Sequence, residues 1–462
     1  MVLQGGETSG VDRLPFLQKG IVAKLAEATN GIGVILEHRY YGKSLVADDF
    51  STSNMRFLST DQAIADMAYF AKNVVFEGFE HINLTAPNTA YIAYGGSYAG
   101  AMVAFLRKLY PDVYWGAISS SGVTEAIYDY WQYHEAVRLF APSGCVTALQ
   151  KLTHIVDTIL TSKADTEYVE RLKAVFGLGN VTRADDFANS ISSGVFGLQG
   201  QNWDPEENSP DFDYFCANLT SDTLLYPGLA SRRSEVKELI SEGGYDDEVH
   251  PLTNPMLNYI GHTNLTVIQP CLRRNYTLDG CLTNYDSEFY HRDNKTHGRW
   301  RSWPYQFCTE WGYLVTGSGV PENQLPLMSR LVDLNYTSYI CKEAFNISTV
   351  ADVKSINKHG GFHISYPRLA IIDGERDPWR AATPHAIGLP ERKSTIDEPF
   401  ILIKNGVHHW DEYGIFPNET TADLPPKPVV EVQQAQVDFV RAWMEQWRES
   451  RGEHKEQTRK DL

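Results

Sequence analysis

The chain has 462 residues, of which 42% are hydrophobic and 21% are charged, a composition typical of a folded globular protein. This length predicts more than one simple domain, most simply a domain that carries a large insertion. The formal net charge of −17 argues against nucleic acid as a partner and against a basic membrane-binding surface, and no apolar run approaches the ~20 residues of a membrane span.

The first 123 residues alternate short apolar segments with amphipathic ones, which predicts a parallel α/β sheet. In chain order the pattern predicts a strand at 2–3, a helix at 16–28, a strand at 33–37, a helix at 61–79, a strand at 88–94, a helix at 99–110 and a strand at 114–119.

The most informative motif is Gly-Gly-Ser-Tyr-Ala-Gly at residues 95–100, between a predicted strand and a predicted helix. A serine on such a turn, with small neighbours that avoid clashes, is typical of the nucleophile elbow of the α/β-hydrolase fold. Ala99 stands where the usual pattern has a second glycine. We therefore interpret Ser97 as the candidate nucleophile.

After residue 123 the strand alternation stops. Helical spacing predicts helices at 124–140, 146–162, 166–176 and 183–193, whereas 209–275 is irregular, aromatic and cysteine-bearing. We interpret residues 124–300 as a mainly helical cap, inserted into an α/β-hydrolase domain that is formed by residues 1–123 and 301–462.

Two later strands, predicted at 367–372 and 400–403, each lead into a polar turn. The first turn carries Asp373 and Asp377, and the second carries His408 and His409. An acid followed by a histidine is the order required after the nucleophile on this fold. Asp377 is the favoured acid because Asp373 lies at the strand end, and either histidine fits as the base.

The loops near these residues carry further expectations. Backbone N–H groups of Tyr98 and Gly6 would form the oxyanion hole, the first because it follows the nucleophile and the second because glycine allows close approach. Asp411 and Glu412 are expected to face solvent. Glu37 and Arg39 either belong to a loop at the mouth of the site or form a buried ion pair.

The sequence also carries marks of the secretory pathway. Six cysteines form an even set that fits three disulfides. Nine N-x-S/T sequons predict N-glycosylation at Asn83, Asn180, Asn218, Asn264, Asn275, Asn294, Asn335, Asn346 and Asn418.

The two ends of the chain carry expectations of their own. The start lacks the cationic, apolar segment of a signal peptide, so we expect an upstream segment to be missing. At the other end the pattern predicts a helix at 431–447 and a disordered charged tail at 448–462. No metal-binding spacing and no cofactor motif stands out.

Several motifs together resemble peptidase family S28, which includes prolyl carboxypeptidase and dipeptidyl peptidase II. They are Glu-His-Arg-Tyr-Tyr-Gly at 37–42, the elbow at 95–100, Tyr-Gln-Phe-Cys-Thr-Glu at 305–310, Asp-Pro-Trp at 377–379 and the histidine pair at 408–409. The tryptophans that follow Glu310 and His409 look most like the fungal branch. The related serine carboxypeptidases carry a glutamate where Gly96 precedes the nucleophile here.

The resemblance implies a catalytic triad of Ser97, Asp377 and His408, a helical cap and cleavage on the carboxyl side of proline. It implies a disulfide between Cys308 and Cys341. Members of the family carry a signal peptide and further strands upstream, so the protein is expected to be secreted or vacuolar-lysosomal and this chain N-terminally truncated.

Substrate expectations follow from the same resemblance. Trp379 and Trp410 would line a flat slot for the proline ring, or would otherwise pack in the core, and Glu310 or Arg39 would bind a terminal charge of the peptide. The sequence leaves exo- and endopeptidase action open, and a homodimer is compatible with it. An esterase or lipase on the same fold, and an inactive glycoprotein that binds through its cap, are the alternative functions.

Overall fold

The computed structural model describes residues 1–164 and 166–452. Strands occur at β1 (Val2–Gln4), β2 (Val34–Leu36), β3 (Ile92–Gly96), β4 (Gly116–Ser120), β5 (Ile127–Asp129), β6 (Gly312–Leu314), β7 (Leu369–Gly374) and β8 (Phe400–Ile403). Six of them form a sheet in the order β2-β1-β3-β4-β7-β8, and each neighbouring pair is parallel. The predicted parallel α/β sheet is confirmed.

The register of this sheet places the functional loops at one edge. Strands β3 and β4 align Gly96 with Ser120, and β7 and β8 align Gly374 with Ile403. Because all six strands run in the same direction, the loops after β1, β3, β7 and β8 leave from the same edge of the sheet. These are the loops that carry the candidate oxyanion, nucleophile, acid and base residues.

Helices cover the sheet and form most of the segment between β5 and β6. The α-helices of the sheet-forming parts are Ile21–Ala28, Thr52–Met55, Thr60–Asn73, Tyr98–Leu109, Leu334–Thr337, Tyr339–Phe345, Val353–Asn357 and Lys427–Ser450. Those between β5 and β6 are Glu135–Phe140, Ser143–Ser162, Glu167–Val175, Ala184–Ile191, Asp211–Thr220, Arg233–Glu242, Val249–Thr263, Gln269–Arg273, Leu278–Leu282, Ser287–Tyr290 and Ser302–Gln306.

Four hydrophobic cores lie in the described part of the chain. Two of them flank the sheet: one contains the elbow helix Tyr98–Leu109, and the other contains the C-terminal helix through Phe439 and Trp443. A third core consists mainly of side chains of the inserted helices and also includes Leu327 to Tyr336, which follow β6. A fourth, smaller core includes Tyr40 and Phe345. The inserted segment therefore buries its own apolar side chains rather than extending the core of the sheet.

The structure corrects two predictions for the inserted segment. The helix predicted at 124–140 begins with β5 and a short 3₁₀-helix before Glu135–Phe140, because β5 pairs with the distant β6. The stretch 209–275, predicted to be irregular, contains three long helices. Phe212, Phe215 and Tyr259 pack inside the third core, and Pro255 lies within one of the helices.

Helix boundaries also differ from the predictions. The helix predicted at 16–28 is a 3₁₀-helix, Gly10–Leu17, followed by Ile21–Ala28, with the break at Gly20, whose φ is +83°. The helix predicted at 61–79 ends at Asn73 because Val74 is extended. The C-terminal helix continues to Ser450, so the first residues of the predicted tail are helical, and residues 453–462 lie outside the described part of the chain.

Candidate active site

Ser97 adopts the strained backbone of a nucleophile elbow. Its φ and ψ are +59° and −130°, between the end of β3 and the start of the helix Tyr98–Leu109. Its N–H donates to the carbonyl of Ser120 at 2.9 Å, which ties the turn to β4. A Cβ on Gly100 would lie 2.8 Å from Cα of Gly122, and one on Gly95 would clash with the carbonyl of Ala99. The small neighbours are therefore a steric requirement of the turn.

His408 is paired with one of the two candidate acids. Its Nδ1 lies 2.9 Å and 3.1 Å from the carboxylate oxygens of Asp377, and both side chains are buried. The backbone N–H of Trp379 donates to the same carboxylate at 2.9 Å. Burial acts to raise the pKa of Asp377, but the contact with His408 and these hydrogen bonds outweigh it and hold the pKa below its ordinary value.

The competing acid has another partner. Asp373 lies 2.6 Å from Nδ1 of His385, whose ring stacks on Phe400. The second candidate base, His409, has its Nδ1 2.9 Å from a carboxylate oxygen of Glu412. The geometry therefore joins Asp377 to His408 and assigns the alternative residues to separate pairs.

Ser97 and His408 line one cavity of about 320 Å³. The other residues that line it include charged or titratable groups, aromatic rings, one aliphatic side chain and one amide. They are Glu7, Arg13, His409, Tyr98, Trp303, Tyr313, Trp379, Val123 and Gln199. The loops after β1, β3 and β8 thus converge with residues of the inserted segment around the candidate nucleophile.

The aromatic wall of the cavity consists of Trp303, Tyr313 and Trp379. The indole of Trp379 meets the ring of Tyr313 at 5.1 Å between centroids, and its Nε1 donates to Oε1 of Gln199 at 2.9 Å. The hydroxyl of Tyr133 donates to the same Gln199 oxygen at 2.8 Å. These contacts, together with the ring of Tyr130 stacked on the indole at 5.2 Å, hold Trp379 in one orientation at the wall of the cavity.

The predicted oxyanion donors, the backbone N–H groups of Tyr98 and Gly6, lie at or beside the N-terminal end of the elbow helix. Tyr98 is the first residue of a 12-residue helix, where backbone N–H groups have no intrahelical partner and the helix dipole is positive. Gly6 is buried beside this helix, and a Cβ on it would lie 3.8 Å from Cβ of Ala99. Within residues 1–164 and 166–452, neither backbone N–H donates to a protein acceptor.

Three other predicted residues lie outside the cavity. Glu310 is half-buried, and its carboxylate accepts from the backbone N–H and hydroxyl of Thr60 at 3.0 and 2.9 Å. Trp410 donates from Nε1 to the carbonyl of Gln201 at 3.0 Å and packs in the core that contains the C-terminal helix. Arg39 pairs with Asp66 at 2.6 Å. All three are engaged in structural contacts, and none of them lines the cavity that contains Ser97.

Glu37 does not form the buried ion pair with Arg39 that was one of its two interpretations. Its carboxylate accepts from the backbone N–H groups of Gly10, Lys43 and Ser44 at 2.7–2.9 Å. It therefore joins the loop after β2 to the start of the 3₁₀-helix Gly10–Leu17, next to the cavity-lining Arg13.

A charged layer made of Glu7, Arg13, His409 and Glu412 lies at the cavity and was not predicted from the sequence. Asp411 and Glu412 are 0% and 2% exposed, so the expectation that they face solvent is wrong. Glu412 lies between His409 and Arg13, whose Nη1 is 4.0 Å from its second oxygen. Burial acts to raise the pKa of Glu412, but His409 and Arg13 outweigh it and lower the pKa.

Gly96 explains how the charged layer comes close to the nucleophile. A Cβ at this position would lie 2.9 Å from Oε2 of Glu412 and 3.3 Å from the ring of His409. A glutamate before the serine, as in the related serine carboxypeptidases, would therefore collide with this layer. The only hint in the sequence is that Glu412 lies three residues after His409 and Glu7 directly after Gly6.

The disulfides and sequons are placed as follows. The structure joins Cys308 to Cys341, and its other two disulfides are Cys145–Cys216 and Cys271–Cys281. Eight of the nine sequon asparagines are exposed. Asn218 is 9% exposed on the helix Asp211–Thr220, and its amide donates to the carbonyl of Tyr214, so it is a poor acceptor in the folded chain. Among the described helices, none is long and apolar enough to cross a bilayer.

Comparison with known proteins agrees with this geometry. The family model described as "Serine carboxypeptidase S28" matches residues 2–424. A "probable extracellular serine carboxypeptidase" of Arthroderma benhamiae is 52% identical over 96% of this chain and 62% of its own length. The "serine protease vicPa" of Bipolaris victoriae is 29% identical over 88% of this chain and 76% of its own. The "thymus-specific serine protease" of Mus musculus is 24% identical over 87% and 73%.

The chain spans less than two thirds of the Arthroderma relative, which is the most identical of these three. The match to the family model nevertheless covers β1 to β8 and all the cavity-lining residues named above. The chain belongs to the S28 family of serine carboxypeptidases.

Proposed function

We propose that this protein is a secreted serine peptidase that hydrolyses the peptide bond on the carboxyl side of proline. The observation that carries the proposal is the cavity in which Ser97, on a strained elbow, meets His408, whose Nδ1 is bonded to Asp377. The fungal relative named as extracellular, the three disulfides and the exposed sequons support secretion.

The proposed chemistry proceeds through an acyl-enzyme. His408 accepts the proton of the Ser97 hydroxyl at Nε2 while the serine oxygen attacks the carbonyl carbon of the scissile bond. Asp377 holds the imidazole with Nδ1–H directed at the carboxylate and stabilises the imidazolium. His408 then gives the proton to the leaving amine, and water hydrolyses the acyl-enzyme by the same route.

Charge on the tetrahedral intermediate would be stabilised by the N–H groups of Tyr98 and Gly6. Both lie at the N-terminal end of the elbow helix, and neither has a protein acceptor in the described residues. Removing one such donor from an oxyanion hole typically costs about 10²–10³ in kcat. The donors are backbone groups, so side-chain substitutions at these positions act only through changes in backbone position.

Proline preference would come from the aromatic wall. A pyrrolidine ring is flat, apolar and lacks an N–H, so an aromatic surface can cover it without leaving a polar group unpaired. The indole of Trp379 is fixed by Gln199 and Tyr313, which makes it the central element of this surface. Trp303 and Tyr313 line the cavity together with Trp379, whereas Trp410, which the sequence also predicted for the proline slot, does not.

The test compares two N-blocked tripeptides, Ala-Pro-Phe and Ala-Ala-Phe, with product masses determined by mass spectrometry. We expect cleavage after proline with kcat/KM at least about tenfold higher than after alanine, since one shaped apolar contact is worth about 1–3 kcal/mol. Ser97→Ala is the control and should abolish cleavage of both. Equal or better cleavage after alanine contradicts the proline claim, and turnover of simple esters alone favours the esterase alternative.

A further inference from the structure

Arg13 is a cation in the candidate active site that has no hydrogen-bonded partner within residues 1–164 and 166–452. It lies on the 3₁₀-helix Gly10–Leu17 and lines the same cavity as Ser97 and His408. Its side chain is 23% exposed, and its guanidinium makes no hydrogen bond to any group in the described residues. A guanidinium carries five N–H donors in a fixed fork, and leaving them unpaired in a largely buried position is costly.

The neighbouring acids do not satisfy Arg13. The nearest carboxylate oxygen, on Glu412, is 4.0 Å away, and the other oxygen of Glu412 is engaged with His409 at 2.9 Å. The nearby carboxylates therefore stabilise the positive charge of Arg13 without accepting its guanidinium N–H groups in the described residues. Such a fork fits a planar carboxylate, which can accept two parallel N–H bonds.

We propose that Arg13 binds the α-carboxylate of the residue that follows the scissile bond, so that the protein releases a single C-terminal residue. This inference rests on the proposed function and names the group that sets its mode of cleavage. One residue spans about 3.5 Å, so the carboxylate of a one-residue leaving group stays within the cavity that holds Ser97. A longer leaving group would place an uncharged amide against the unpaired guanidinium.

Glu7 gives this interaction a pH dependence. Burial raises the pKa of Glu7, and the negative charge of Glu412 raises it further. The positive charges of Arg13 and His408 act in the opposite direction but are outweighed. The phenols of Tyr41 and Tyr98 also lie near Glu7. Below this raised pKa Glu7 is neutral and does not compete with the substrate for Arg13. As the pH rises through its pKa, Glu7 becomes a rival anion, so KM for a free-acid peptide rises while KM for the corresponding amide does not.

The test uses an N-blocked Ala-Pro-Phe peptide as the free acid and as the C-terminal amide. For the unmodified protein we expect kcat/KM to favour the free acid. Arg13→Gln should lower kcat/KM for the free acid by about 100-fold, mostly through KM, because it removes charge-assisted hydrogen bonds worth about 1.5–3 kcal/mol. The amide should be affected far less. Arg13→Lys keeps the charge without the fork, so its loss should be intermediate.

The matched control is Arg56→Gln, since Arg56 is exposed and its contacts, a hydrogen bond to the carbonyl of Ser53 and a cation–π contact with Phe57, lie on the surface. Equal loss on acid and amide in Arg13→Gln would show a structural role and overturn the inference. Equal cleavage of acid and amide by the unmodified protein would overturn it as well, while leaving proline specificity intact. If the protein prefers alanine before the scissile bond, the free acid and the amide are compared for the Ala-Ala-Phe peptide instead. Failure of the proline proposal is then distinguishable from failure of the Arg13 inference.

Discussion

Asp373 and Asp377 lie four residues apart on one turn, yet each pairs with a different histidine. Asp377 is bonded to His408, which lines the cavity with Ser97, and Asp373 is bonded to His385, which does not. Both acids are buried, so burial alone does not distinguish them. At the residue scale the partner distinguishes the two acids: the proposed catalytic role falls to Asp377, which is bonded to the cavity-lining His408, whereas Asp373 contacts a histidine outside the cavity.

Asp377→Asn should lower kcat by about 10³–10⁴-fold, because an amide can stabilise the wrong tautomer of His408 and does not stabilise its cation. Asp373→Asn is the matched control, a buried acid on the same turn with its own histidine, and should change kcat by less than about threefold. Steady-state kinetics on a proline peptide gives the comparison. Similar losses in the two variants would contradict the assignment of Asp377.

The sequence predicted the site residues that lie close to Ser97 along the chain. It did not predict the charged residues that only folding brings near Ser97. Ser97 and Gly95 were identified because the turn imposes size limits within a few residues. The charged layer was missed because Glu7 and Arg13 lie on the segment after β1 whereas Glu412 lies after β8, about 400 residues later, and the two segments meet only in the folded sheet. Glu412 looked like an exposed acid until Gly96 and His409 were shown to enclose it.

At the scale of elements, Asp411 joins two strands to the C-terminal helix. Its carboxylate accepts from Ser120 on β4, from Tyr94 on β3 at 2.9 Å and from Gln436 on the helix Lys427–Ser450 at 3.0 Å. Burial nevertheless dominates and raises the pKa of Asp411 to about 6. The helix is thus held against the sheet by a group that prefers its proton in the folded state.

The raised pKa of Asp411 predicts a stability contribution that is present below pH ~4 and lost as the pH rises to about 6. The free energy of unfolding of the unmodified protein, relative to Asp411→Asn, should therefore fall by roughly 2–3 kcal/mol between pH 4 and pH 7. Urea titrations at both pH values measure it. The exposed Asp48→Asn is the control, and a difference that stays constant or grows with pH would contradict the account.

Element prediction succeeded where local periodicity coincides with burial. The strands β3, β7 and β8 and the elbow helix were found within a few residues of their observed ends. The helices between 211 and 263 were missed because aromatic residues, a cysteine and Pro255 obscure the helical period, although Phe212, Phe215, Cys216 and Tyr259 pack together in one core. The pairing of β5 with β6 spans about 180 residues, and no local signal indicates it.

At the scale of the whole molecule, the inserted helices are bound to the histidine loop. Trp203 donates from Nε1 to the carbonyl of Trp410 at 2.8 Å, and Trp410 donates to the carbonyl of Gln201 at 3.0 Å. Gln199, on the same inserted segment, fixes Trp379. The two folding units therefore share the active-site cavity: the sheet supplies Ser97 and His408, and the inserted segment helps to set the shape of the slot. Its limits, predicted as 124–300, remain a proposal.

The central claim is that Ser97 is the nucleophile of a serine peptidase. The most direct measurement is labelling of the folded protein with a fluorophosphonate, followed by mass spectrometry of its peptides. We predict one adduct, on the peptide that contains Ser97, with loss of peptidase activity in proportion to labelling and no adduct in Ser97→Ala. An adduct on another residue, or full peptidase activity in Ser97→Ala, would contradict the account.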